Sequence, residues 1–499
     1  MNPALLAHVD PEALCQRVPL ADEENALGPW MEALKALTPC VEIEASCDTA
    51  CYCSDPTIPS LKLAANTQNY RENVAANRRS LELIDAGIDR GRFQFPEMHG
   101  PESFSADFAP VFGLRDLVLL RDRYVRVLAT DGQLEAAGRE LLRSLQMADM
   151  VFRGDGRVVH FLVAVALKGI GIARCRAFAF SADATTETLT EILAALDRVT
   201  DLNGLMARSV RLEFQFWSLP IFDRLAAADT LDKFVDTLLE RYYSLLPLAP
   251  VDNAAAPVAT DDRNAWRRER IMFLLEGHPA PFDIDQTVRM ASGAIAAAVR
   301  AFDARPLSSP PAPTPQREVS SRVLDQGAWP AHFDPVLLYE YIGNSRDARK
   351  HRKLLKDCMS PEMLASIQPP RRAALAVAKR KLREISNPVG RLLVERGACM
   401  PMVNPSTVAR SPAEELATKV SLAIRLYFDR FGRAPSELGE LVAAGLLPQQ
   451  PIDPFDGLPL RYSRERGLLW SVGFDRIDGN GDPSGDYVWC MPVAGGVDG

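Results

Sequence analysis

Four aspartates near the C-terminus, Asp475, Asp478, Asp482 and Asp486, fall within twelve residues, with Gly479, Gly481 and Gly485 between them. Oxygen donors at this density suit a hard cation. Calcium takes six to eight oxygens from carboxylates, carbonyls and water, and glycine lets a backbone fold closely around it. Asp478-x-Asn480-x-Asp482 has the opening ligand spacing of an EF-hand. The rest departs from that pattern: Pro483 stands where its turn glycine belongs and Trp489 where its bidentate glutamate belongs. The competing reading is a solvated acidic turn.

A second metal chemistry is written at Cys47, Cys51 and Cys53, with Cys40 nearby. Cys47-x3-Cys51 has zinc-like spacing, but no second Cys pair or His pair completes a ligand set, so zinc is disfavoured. Disulfides in an exported protein, or inert thiols, remain open for these residues. Cys15, Cys175, Cys358, Cys399 and Cys490 are scattered, as small buried thiols usually are. The six histidines are far apart and form no ligand spacing. His160 lies in an apolar segment and reads as a core residue rather than a base. Phosphate-loop, dinucleotide, zincin and nucleophile-elbow motifs are absent, so no catalytic residue is named.

The elements that must position these groups fall into distinct stretches. A chain of 499 residues is too long for one core. Residues 1–60 form an N-terminal segment with the cysteine cluster. Residues 61–305 form an α-helical domain, with apolar residues at three- and four-residue spacing. Helices are predicted at 22–38, 61–88, 114–129, 133–152, 157–180, 184–198, 203–227 and 229–246. The helix at 157–180 is apolar on nearly all sides and belongs at the centre of a core. The pair at 114–152, turning at Thr130-Asp131-Gly132, looks like a tetratricopeptide-type hairpin, although no second copy follows at a fixed period. Residues 306–316 are a proline-rich linker. Residues 317–404 return to helix and are locally basic from Arg346 to Arg383, a face able to meet an anionic membrane surface or to lie solvated.

Residues 405–499 form a small α+β module. Ser411-Pro412-Ala413-Glu414 opens a helix, with serine as cap and proline in the first turn. Leu416, Val420, Ala423, Ile424, Tyr427 and Phe431 mark its apolar face, and Gly432 ends it. Leu460-Arg461-Tyr462 and Leu468 to Val472 read as a hairpin, and Tyr487-Val488-Trp489 as a third strand. The fold class is therefore mainly α-helical and multi-domain, with a helix on a small antiparallel sheet at the C-terminus.

Several spaced motifs in this module occur in a familiar order: Gly432-x-Ala434-Pro435, Gly445-x-Leu447-Pro448, Asp453-Pro454-Phe455-x-Gly457-x-Pro459-Leu460-x-Tyr462 and Ser471-Val472-Gly473-x-Asp475. Over roughly the last 90 residues the chain resembles the C-terminal domain of the type II secretion major pseudopilin. The resemblance implies a long helix on a small sheet and a late calcium loop, with Asp475 and Asp486 as first ligands and Asp478 and Asp482 as second choices. The pseudopilin's N-terminal apolar helix and processing site are absent, so polymerisation of the ordinary kind is not expected. The whole chain resembles large uncharacterised bacterial envelope proteins with a helical front and such a tail, which implies a periplasmic or membrane-associated location.

Charge and hydropathy narrow the classes. A net charge of −8 lacks the basic balance of a general nucleic-acid binder, so no nucleic-acid partner is expected. The nearest apolar run, Val158 to Leu167, stops at Lys168, short of a bilayer span. Met1–Asp10 has neither a basic start nor a long apolar stretch, so neither signal nor anchor is visible and a cytoplasmic place stays open. Three functions compete. The first is a non-enzymatic envelope scaffold or assembly protein, related to secretion or pili by resemblance, with protein partners, peripheral membrane contact and a calcium-stiffened tail. The second is an enzyme with its site in the helical domain and a Cys-bound metal. The third is a cytoplasmic adaptor using the basic face.

Overall fold

The computed structural model describes residues 6–39, 67–96, 104–196, 202–241, 268, 271–272, 275–304, 380, 383–395 and 405–491. The cysteine cluster at 40–53, the proline-rich stretches at 247–260 and 306–316 and the basic stretch from 346 to 379 lie outside the described residues.

Helix α1 (Leu27–Ala36) is followed by α2 (Thr67–Ala76) and α3 (Arg78–Asp89). The sequence predicts one helix over 61–88, and the structure has two. Asn77 leaves helical geometry (φ −107°, ψ 20°). Its side chain accepts the Thr38 N–H and donates to the Thr38 and Asn73 carbonyls. A short amide side chain competing with the helical ladder is the cause. Helices α4 (Phe104–Thr130) and α5 (Leu134–Phe152) fold back on each other at Gly132, whose φ of +77° suits glycine.

Helix α6 (Val158–Ala179) falls where the sequence places it and continues past Lys168, which corrects the reading that the apolar stretch is short of a bilayer span. Among the described residues it is the one helix long and apolar enough to cross a membrane, yet more than half of its most apolar window is buried in protein. Lys168 is tolerated because its ammonium meets Glu415 at 2.8 Å. Helices α7 (Thr186–Leu196), α8 (Leu202–Glu213) and α9 (Leu219–Ala226) come next. The single helix predicted over 203–227 is broken by a π-helical turn at Phe214–Ser218. Pro220 has no N–H to offer the preceding turn, and the chain widens there instead. Helices α10 (Leu231–Arg241), α11 (Ile284–Ala304) and α12 (Pro388–Glu395) follow among the described residues.

The tail opens with α13 (Pro405–Phe431), which starts earlier than the predicted Ser411 and carries Pro412 in its interior. Pro405 takes the first-turn place that the sequence reading gave to Pro412. A short helix α14 (Gly439–Ala443) precedes strands β1 (Arg461–Ser463), β2 (Leu468–Ser471) and β3 (Tyr487–Cys490). They form one antiparallel sheet in that order, with Arg461 opposite Trp470 and Ser471 opposite Tyr487. The chain is mainly helical with a small C-terminal sheet.

Two apolar cores hold this together. The first gathers Trp30, Ile84, Phe93, Leu117, Phe161, Phe214, Phe222 and Val288. The second joins Leu141, Phe178, Leu189 and Ile192 of the front to Ala417, Val420, Ile424, Tyr427, Phe455, Leu469 and Trp489 of the tail. Helix α13 packs on α6 and α7 and also on β2. From Ala417 to Ile424, only Lys419 escapes full burial. A helix buried all round must have partners on more than one side, and these come from both halves of the chain.

Candidate metal loop

The acidic loop is the connection from β2 to β3. Each of its aspartates takes a backbone N–H. Asp475 accepts from Ile477 at 3.0 Å, Asp478 from Asn480 at 2.9 Å and Asp482 from Ser484 at 3.0 Å. These two-residue reaches are Asx turns, the local habit of a short carboxylate. Asp486 reaches backwards: its oxygens accept the N–H groups of Gly479 at 3.2 Å and Gly481 at 2.7 Å. It is only 2% exposed. A Cβ on Gly479 would stand 3.0 Å from an Asp486 oxygen, so a side chain there would push the carboxylate away. Arg476 and Asn480 are left-handed (φ +56° each). Asparagine tolerates this region, whereas arginine is held there by its surroundings.

The four carboxylates do not converge as a set. Asp475 reaches Gly485, the residue before Asp486, with an oxygen 3.0 Å from where a Cβ would stand. Asp478 is drawn off in another direction. The Trp470 indole N–H donates to it at 2.9 Å and Arg461 lies 3.4 Å from its other oxygen. The indole bond first, with help from the Asn480 N–H and Arg461, holds Asp478 below the usual carboxylate range. Asp482 is also held low, chiefly by the Ser484 N–H. Among the described residues no three His, Cys, Asp or Glu side chains are grouped as metal ligands. A cation in this loop would therefore draw on Asp475, Asp486 and loop carbonyls, and some present hydrogen bonds would have to yield to it.

The anchor of the loop was not legible as a site. Asp453 is fully buried and accepts from the Phe455 N–H at 3.0 Å, the Ser471 hydroxyl at 2.8 Å and the Val472 N–H at 3.0 Å. Burial pushes its carboxyl up despite these bonds. Arg461 on β1 pairs with Asp453 at 2.8 Å, with Asp456, and with Asp478 across the sheet. Burial raises Asp456, but Arg461 and the Leu458 N–H outweigh it and keep that carboxyl low. One guanidinium thus ties the Asp453–Gly457 turn to the acidic loop. The signal was there: an Asp-Pro-Phe-Asp-Gly turn followed by an arginine between Leu460 and Tyr462.

The module is joined to the helical front through buried charge. Glu414 accepts from Arg176 at 3.0 Å and from the Trp489 indole at 2.9 Å. Glu415 meets Lys168 at 2.8 Å and Lys419 at 3.2 Å. Arg425 donates to the Ser181 carbonyl at 2.7 Å. The sequence reading opened the helix at Ser411, which puts Glu414 and Glu415 in its first turn. They lie well inside α13 and serve as docking groups. His160 is buried with its ring 4.2 Å from that of Phe95. Burial, then Arg157 and Arg17, lower its pKa to about 3, so it is a neutral residue of the interior at pH 7. The chain was compared with protein-family models, curated proteins and solved structures, and none matches it.

Proposed function

We propose that this protein is a non-enzymatic scaffold of the bacterial cell envelope, related to secretion or pilus assembly, with a tail module that calcium stiffens. One observation carries the reading. The β2–β3 loop is already shaped by Asp486 and Arg461, and the module bearing it is joined to the helical front through one core. A loop of this kind, read with the pseudopilin resemblance, takes calcium at Asp475 and Asp486, with loop carbonyls completing the shell. Asp478 then serves as an anchor, since Arg461 and Trp470 hold its charge. Bound calcium would cancel the repulsion among the aspartates and stiffen β2 against β3.

Calorimetric titration of the full chain tests the metal. Extracellular modules bind calcium at about 10⁻⁴ to 10⁻³ M, so heat should saturate in the millimolar range and vanish in Asp475→Ala. No heat at millimolar calcium would remove calcium from the proposal. Fractionation of the native cell tests the location: recovery in the soluble cytoplasm alone would sink the envelope reading.

A further inference from the structure

The chain contains two Asn–Gly pairs, Asn203–Gly204 and Asn480–Gly481. Such a pair is able to cyclise. The glycine nitrogen attacks the asparagine Cγ, an N–Cγ bond forms, the Cγ–Nδ2 bond breaks, and the amide proton leaves with the amine as ammonia. Water then opens the succinimide ring at either carbonyl, giving aspartate or isoaspartate. Glycine favours the closure because it has no Cβ to obstruct it.

The fold treats the two pairs differently. Asn203–Gly204 lies in the first turn of α8, and cyclisation there would have to break helical dihedrals. Asn480–Gly481 lies in the β2–β3 loop, with the two residues left-handed at φ +56° and +77°. Asn480 is exposed. Asp478 holds its N–H at 2.9 Å and Arg466 its carbonyl at 2.6 Å, whereas among the described residues nothing hydrogen-bonds its carboxamide. The electrophile is therefore free to turn.

The nucleophile is not. Gly481 is buried, and its N–H donates to Asp486 at 2.7 Å. In a succinimide the Cγ stands where the amide hydrogen stood, so the Asp486 carboxylate occupies the very approach that ring closure needs. Its other oxygen accepts the Gly479 N–H at 3.2 Å, and the residue is only 2% exposed, which keeps it in place.

We propose that Asn480 is a site of spontaneous deamidation gated by the Asp486 carboxylate. While Asp486 holds the Gly481 N–H, closure is blocked; when the loop opens, Asn480 cyclises. Isoaspartate then routes the main chain through one additional carbon, so that the Gly479 and Gly481 amides no longer converge on one carboxylate. The change is irreversible, and its rate measures how often the loop opens.

The test incubates the full chain at neutral pH in chelator, so that calcium plays no part. Peptide mapping by mass spectrometry in ¹⁸O-labelled water follows both pairs, and the guanidinium-unfolded chain gives the ungated rate of each. In the folded wild type Asn480 should convert more slowly than in the unfolded chain by about tenfold or more, as expected for a loop held by a charged hydrogen bond. Asp486→Ala should speed Asn480 by a similar factor and leave Asn203 unchanged. Equal Asn480 rates in folded and unfolded wild type, or a rate unmoved in Asp486→Ala, would overturn the proposal. Should Asp486→Ala speed both pairs through general unfolding, the wild-type comparison decides alone.

Discussion

The acidic loop and the seam between α6 and α13 are both built from charged side chains, yet they are built differently. In the loop, Asp475, Asp478 and Asp482 each bind an amide two residues on, as Asp453 and Asp456 do in the preceding turn. At the seam, Arg176 and Glu414 are 238 residues apart and Arg425 reaches a carbonyl 244 residues away. Apart from buried Asp486 and the reach of Asp478 to Trp470 and Arg461, these loop bonds are local and exposed, so any one of them is worth little against water. The seam is buried, so each charge there depends on its partner. Charge at the surface shapes the chain, whereas charge in the interior decides which surfaces meet.

The largest effect should come from breaking the seam. Glu415→Ala takes the 2.8 Å carboxylate from Lys168, whose side chain is 5% exposed, and leaves Asp149 at 3.9 Å. We expect a loss of about 3–5 kcal/mol in denaturant unfolding, as for other halved buried pairs. Lys168→Met combined with Glu415→Leu should recover most of it. If Glu415→Ala costs no more than a surface substitution, the contrast between seam and loop fails. Next is Asp453→Ala, which strands the Ser471 hydroxyl and the Val472 N–H and takes one of three carboxylates from Arg461. A loss of about 3 kcal/mol is expected, with Trp470 fluorescence reporting the loosened sheet.

The third effect is a pH dependence confined to the helical front. His160 has a folded pKa of about 3 against an ordinary 6.5, so the unfolded chain takes up a proton that the folded chain refuses. Stability is therefore lost as pH falls from the ordinary value toward the folded one. Between pH 7 and pH 5 the loss should be about 2 kcal/mol, and His160→Leu should flatten that part of the curve. An unchanged slope in the variant would assign the dependence to other groups. The smallest effect belongs to the loop. Without calcium, Asp475→Ala should cost under about 1 kcal/mol. With calcium at tenfold its Kd the wild type should gain about 1.4 kcal/mol and the variant nothing. An equal gain in both would move the cation away from Asp475.

Much of the fold was legible along the chain. The central place of α6, the turn at Gly132, the helix end at Gly432 and the three strands follow from periodicity and glycine placement, which act over a few residues. Breaks within helices were not legible. Asn77 interrupts its helix because Thr38, nearly forty residues upstream, offers it partners. The wide turn at Phe214–Ser218 was signalled by Pro220, which the periodic pattern masked. At the loop, the aspartates stood out by density alone. Asp453 was visible as a motif residue, but its anchoring role, like that of Arg461 and Trp470, depends on the pairing of β1 with β2 and was not legible.

By itself the sequence determined the helices, the strands and the Asx turns, since these arise from dihedral preferences and hydrogen bonds between near neighbours. Only the tertiary structure decided that Glu414 and Glu415 are docking groups, that Lys168 belongs in a core helix, and that the tail shares a core with the front. Those facts depend on which distant surfaces exclude water together, and burial changes the cost of a charge far more than any local pattern does.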